Sequence, residues 1–509
     1  MALRGLSRAT TRKLQQAVGT VWDGAPMAFD LADRARRALL ELGFTPDFPP
    51  DAEAQVAALQ RSGAPSTSSD AEDLRGLLWS SIDNPDSMDL DQLEWAEALP
   101  DGSTRLLVAI ADVDALVPEG SPVDRRAGAN TASLYTGVTV FPMLPRPLSE
   151  NLTSLLPDVD RLSVVIGYRV LPDGTVADGA VRRAWVRNRA KLSYPEVAPW
   201  LQGEAPVPPR VGAVAGLEEQ LRLQDRATRA LRAARERAGA LMLRTIEPRP
   251  VMSDGRVLDL EDIPDSRSRE LIEDLMVAAN EVMARFLETA HRSSLARIVR
   301  KPKRWDRIVA LAQGLGTTLP AEPDGVALSR FLDRQQTRDP LHFPDLSLTV
   351  VKLLGPGEYV LRPAGQESPG HFGLAANDYS HSTAPNRRYP DVVTQRLVKA
   401  LLAGAAAPYP DAELDGIAQH CTQKEVAIRK LERLMRKVIA AVLLRDRVGE
   451  VFDGLVTGVT EHGTFVRLLK PAAEGRVVRG EHGMDVGDRI RVRLLSTDPE
   501  KGFIDFARA

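Results

Sequence analysis

The apolar residues of this chain change period in a fixed order along its length, and that order constrains the fold more than any single motif does. From about residue 74 to 200 they come in strand-like runs such as "RLLVAIADVDALV" and "RLSVVIGYRVL", with "LPDGTV" read as a hairpin turn. Over 213–240, 266–290 and 389–402 the pattern is helical. In the second of these, Leu271, Leu275, Ala278 and Ala279 form one stripe with Arg269, Glu273 and Asp274 beside it. After a basic helix near 424–447, short strands with glycine turns return for about 60 residues, the size and rhythm of a small five-stranded barrel. Ahead of all this, 7–18, 27–42 and 51–60 read as short helices, and "GAPSTSSD" (63–70) reads as a linker. The expectation is an α+β multidomain chain: a helical N-terminal domain over 1–62, a linker over 63–73, a mixed α/β body over 74–445 and a five-stranded OB-type β-barrel over 446–509.

Composition narrows the class. No apolar run approaches the roughly 18 to 20 residues of a membrane helix, so no membrane partner is expected. The single cysteine, Cys421, excludes an internal disulfide and Cys-rich zinc modules, and fits a reducing compartment such as the cytoplasm. With 66 basic and 69 acidic side chains the net charge is -3, so any nucleic-acid footprint must be local. Two stretches are locally basic. Residues 1–18 carry Arg4, Arg8, Arg12 and Lys13 without an acid, a composition shared with organelle transit peptides. In 424–447, Arg429, Arg433, Arg436 and Lys437 recur at helical spacing, either as a solvated face or as a binding stripe.

Two polar stretches carry chemistry. "SIDNPDSMDLDQ" (81–92) places Asp83, Asp86, Asp89 and Asp91 within nine positions. Carboxylates this close repel one another unless water or a cation relieves them, which leaves a solvated acidic turn or a Mg²⁺ site. Asp89 and Asp91 are two apart and face the same way in extended chain, while Pro85 makes a turn that folds Asp83 back toward them. "NRRYPD" sets Arg387 and Arg388 between a proline turn and a helix, either clamping a phosphate or forming a surface pair neutralised by Asp391. HExxH, GxSxG and P-loop signatures are absent from the sequence. An acidic cluster, an Arg-bearing turn and a terminal small barrel together point to metal-assisted phosphodiester hydrolysis on nucleic acid.

These stretches resemble, in order, the motifs of the RNase II/RNase R family, whose catalytic module is the RNB domain. Asp83, Asp89 and Asp91 fill three places of its four-aspartate motif, and Gln92 stands in the fourth. "SLYTGVTVFPMLPRPLSENLTSLLP", "RAKLSYPEVAPWL", "SRELIEDLMVAAN" and "YSHSTAPNRRYPDVVTQR" are similar to further family segments, and the match covers roughly 74–440. "GLVTGVTEHGTFVRL" and the segment after it resemble the S1-type OB-fold.

The resemblance implies a processive, hydrolytic 3'→5' exoribonuclease that releases nucleoside 5'-monophosphates and acts as a monomer. It implies one or two Mg²⁺ ions at Asp83, Asp89, Asp91 and Gln92, with Arg387 on the scissile phosphate. Tyr135 and Tyr194 would touch the 3'-terminal nucleotides, Glu273 and Asp274 would lie near the 3' end, and Arg388, Arg429, Arg433, His462 and Phe465 would contact RNA further out, beside Arg467 and Arg479. Three departures stand out. Gln92 lacks the family's carboxylate; Leu243 occupies the place of a second stacking aromatic; and the N-terminus reads as helices, of helix-turn-helix type, where the family carries cold-shock-like barrels. Loss of barrels that narrow the entrance would admit duplex RNA with a 3' overhang as well as single strands. Two rival functions remain: an RNA-binding protein of weak activity, and a DNA-directed exonuclease.

Overall fold

The computed structural model describes residues 29–63, 70–244, 249–253, 256–261, 265–461 and 463–509. The expected helix over 7–18, the basic residues within it and His462 lie outside the described residues.

Two helices open the described chain, α1 (Leu31–Glu41) and α2 (Pro50–Ser62), close to the two expected. Asp30 caps α1 by accepting from the Asp33 N–H. Pro50 opens α2, where its missing N–H costs no hydrogen bond. Among the described residues before 70 there is no strand. The two helices join different cores. Leu31, Ala35 and Leu39 pack with Leu431, Met435 and Phe452, whereas Ala52 and Val56 pack with Val113, Val123 and Met143. Each helix has one short apolar stripe, too little to form a core alone.

The body follows with β1 (Glu72–Asp73), β2 (Trp79–Asp83), β3 (Gln92–Ala98), β4 (Thr104–Ala111), the small hairpin β5 (Leu134–Tyr135) and β6 (Val140–Phe141), β7 (Asp160–Val170) and β8 (Val176–Ser193). The main sheet has the order β1-β8-β2-β3-β4-β7, and β8 also pairs with β7. Strand β8 is long enough to hydrogen-bond β7 along its first part and β2 along its last, so the sheet curls back on itself. One face, with Ile82, Val108, Ile110 and Ile166, packs under helices through Leu221, Leu271 and Leu275. The other buries Trp79, Leu93, Leu107 and Val165. Cover on both faces explains why β4 and β7 read as nearly continuous apolar runs. In the β7–β8 turn, Gly174 has φ +87°, and a Cβ there would lie 2.0 Å from the Ala230 carbonyl oxygen, so only glycine fits.

Helices α3 (Tyr194–Leu201), α4 (Leu217–Ala238) and α5 (Arg267–Thr289) cover the sheet, and α5 buries the Leu271, Leu275, Ala278 and Ala279 stripe read from the sequence. Further on come α6 (Tyr389–Leu402) and α7 (Asp411–Leu444). The last five strands, from Val451 to Arg508, close into a barrel around Val456, Val466, Val492 and Phe506. No described helix is long and apolar enough to cross a membrane.

Candidate active site

The acidic stretch is the loop from the end of β2 to the start of β3, pinned at several points. Leu90 accepts from the Leu155 N–H and Asp91 from the Ala111 N–H through their carbonyls, both at 3.0 Å. Asp83 organises the turn at Pro85: its Oδ1 accepts from the Asn84 N–H at 2.7 Å and from Ser87 Oγ at 2.9 Å. Asp86 is exposed and Asp91 is buried, 1% exposed.

The NRRYPD turn meets this loop from nearly three hundred residues away in the chain. The Asn386 N–H donates to Asp91 Oδ1 at 2.9 Å, and Arg387 Nε donates to Oδ2 at 3.2 Å. The turn is held from behind: Thr153 Oγ1 donates to Asn386 Oδ1 at 2.6 Å, and the Ser133 N–H to the Arg387 carbonyl at 3.0 Å. Arg387 keeps 48% of its side chain exposed, whereas Arg388 turns inward and donates to Asp391 at 2.7 Å. The neutralised-pair reading therefore holds for Arg388 and not for Arg387. Tyr135, 43% exposed on β5, stands beside Arg387.

Burial sets the electrostatics. It pushes the Asp91 carboxyl up to about 7, with Arg387 opposing and Asp89 reinforcing. Asp89 is also raised, again by burial first, with Arg387 opposing. Desolvation outweighs the ion pair because one partly solvated guanidinium serves several carboxylates. The donor set is all oxygen, the chemistry of a hard divalent cation, and a cation would supply the charge these buried groups lack. Among the described residues no three His, Cys, Asp or Glu side chains are grouped so that they could hold a metal ion. Both Asp91 oxygens are engaged, so the residues fit an ion that keeps part of its water shell.

The other expected contacts are scattered around this centre. Tyr194 opens α3 with its ring under the Arg269 guanidinium at 4.3 Å, and Arg269 donates to Asn84 Oδ1 at 3.2 Å. Asp274 is buried: Arg232 Nε lies 3.1 Å from it, Arg235 bonds it, and Arg267 stands at 3.7 Å. Burial still pushes it up to about 6. Glu273 is exposed beside Arg232. Leu243 packs on the satellite core around Trp305 and Phe331. Arg429 and Arg433 are exposed on α7, the first paired with Glu425 at 2.6 Å. On the barrel Phe465 is half-buried, Arg479 is exposed, and Arg467 donates to Asp345 at 2.8 Å.

Sequence reading missed Glu94, a buried carboxylate on β3. Its signal was a charged residue at the parity of Ala96, which faces the helices. The anchoring roles of Arg232, Arg235 and Arg269 depend on partners distant in sequence and left no local signal.

The RNB domain model matches residues 71–404, and the model of the RNase II-type exonuclease C-terminal S1 domain matches 450–509. Ribonuclease R of Escherichia coli K12 is 30% identical over 99% of this chain, which spans 65% of that protein's length. The fold is similar to Mycoplasma genitalium RNase R in complex with ribose-methylated single-stranded RNA: TM-score 0.84, 22% identity, 94% of this chain and 78% of that one covered. It is similar also to the same enzyme in complex with double-stranded RNA: TM-score 0.82, 23% identity, 94% and 84% covered.

Proposed function

The chain belongs to the RNase II/RNase R family, and from that membership we propose that it is a processive, hydrolytic 3'→5' exoribonuclease releasing nucleoside 5'-monophosphates. The observation that carries the reading is the meeting of Asp91 with Asn386 and Arg387, which sets a buried carboxylate loop against an exposed guanidinium. In the reading, Asp83, Asp89 and Asp91, with Gln92 beside them, hold Mg²⁺. A bound ion would supply Lewis-acid activation of water and stabilise the leaving 3'-oxygen.

The chain's own groups do the rest. Arg387 leaves Asp91 for the scissile phosphate and bears its transition-state charge, while the Asn386 N–H keeps the carboxylate aimed. Tyr135 stacks on the terminal nucleotide, a contact worth about 1 to 3 kcal/mol and tolerant of sequence. Tyr194, fixed under Arg269, walls the other side. Glu273 lies at the rim, and Asp274 acts through the arginines it holds. Arg388 orders the turn; Arg429, Arg433, the barrel's Phe465 and, in sequence beside it, His462 guide the strand inward. The chain works as a cytoplasmic monomer on single-stranded RNA with a free 3' end. It also enters duplexes from a 3' overhang, a reading supported by the helices that precede the body.

The rival reading, an RNA-binding protein of weak activity, is favoured by Gln92 alone. Product analysis on uniformly labelled RNA separates the two. Nucleoside 5'-monophosphates, blocked by a 3'-phosphate on the substrate, are the expected result; bound and intact RNA would sink the nuclease reading.

A further inference from the structure

Glu94 lies on β3 two residues beyond Gln92, so both side chains leave the strand on one face. It is 1% exposed, and neither carboxylate oxygen has a hydrogen-bond partner. Its register partner on β2 is Ser80, whose hydroxyl is likewise buried without a partner. Three residues further along β2 stands Asp83, whose charge reaches Glu94, and the charges of both reach Tyr194. Glu94 therefore lies on the helix-facing side of β3, within electrostatic reach of Asp83 at the edge of the acidic site. A buried carboxylate with no donor is costly, and a sheet tolerates it where something absent from the bare protein supplies the donors. On the same face, Gln92 offers only a neutral amide.

We propose that Glu94 is the site's fourth carboxylate, moved two positions along β3. It accepts hydrogen bonds from the water shell of the divalent cation that Asp83, Asp89 and Asp91 hold, and so supplies the negative charge missing at Gln92. The inference rests on the metal-assisted reading above.

Mn²⁺ binding to the full chain, read from the free-ion EPR signal in the absence of RNA, tests this without relying on activity. Glu94→Gln and Glu94→Leu should each weaken Mn²⁺ by about 10- to 100-fold. Leu suits the apolar neighbours should the buried amide prevent folding. Gln92→Asp combined with Glu94→Gln should regain the lost affinity. Singles that bind like wild type would overturn the inference and leave the metal reading standing, and a double variant that regains nothing would overturn the relocation. Wild type that binds no Mn²⁺ would overturn the metal reading and this inference with it.

Discussion

At the scale of single residues, Arg387 and Arg388 adjoin in sequence and part in space because Asp391, in the first turn of α6, captures the second. Arg387→Lys should therefore lower kcat by about 10²-fold, since an ammonium lacks the planar fork, with RNA affinity changed far less. Arg388→Lys should act mainly on thermal stability. Single-turnover rates beside melting curves check both, and equal kinetic losses would contradict the division. The sequence displayed the arginine pair and its candidate neutraliser but not which guanidinium Asp391 takes, because that depends on how α6 starts. His371 gives a second test. Its Nδ1 accepts from the Leu374 N–H at 3.2 Å, and burial, aided by Arg297, lowers its pKa to about 4 from 6.5. The native state keeps this ring neutral while the unfolded chain protonates it. Its contribution is thus complete above pH 6.5 and lost as pH falls toward 4. The loss is on the order of 3 kcal/mol. Melting temperature against pH should fall on acidification through this window, and His371→Asn should flatten that part of the curve.

At the scale of elements, α7 ties the molecule together. Leu414, Ala418 and Cys421 belong to the core under the main sheet, while Leu431, Met435 and Val438 share a core with α1 and the barrel. The recurrence of Arg429, Arg433, Arg436 and Lys437 was legible because helical period is local. The splitting of α1 and α2 between two cores was not, since a short apolar stripe does not state what it meets. The double pairing of β8 was hidden for the same reason: register with β2 and β7 is set by residues far away in the chain. On the exposed side of α7, Arg433→Ala should lower the slope of log affinity against log salt by about 0.7, the value for one phosphate contact on a single strand. Arg429→Ala should lower it less, because Glu425 already holds that guanidinium. Fluorescence titrations across a salt series measure both, and an unchanged slope for Arg433→Ala would remove α7 from the RNA path.

At the scale of the whole molecule, the acidic loop, the arginine turn and the Tyr135 hairpin come from three distant parts of the chain and converge at one end of the main sheet. Each motif was visible in the sequence, and their convergence came with the family resemblance instead of from spacing. Glu94 stayed hidden because a single carboxylate in a strand is silent until its surroundings are known. The helices before the body bear on substrate shape: a duplex with a 3' overhang should be shortened past the junction, and a halt there would contradict an open entrance. Metal-assisted shortening from the 3' end at Asp91 and Arg387 can be read from a time course on 5'-labelled single-stranded RNA. Wild type is run beside Asp91→Asn, each with Mg²⁺ and with EDTA. Shortening from the 3' end is expected with Mg²⁺ alone, slowed by at least about 10²-fold in the variant. RNA bound and uncut in every lane, or cut equally by Asp91→Asn, would contradict it.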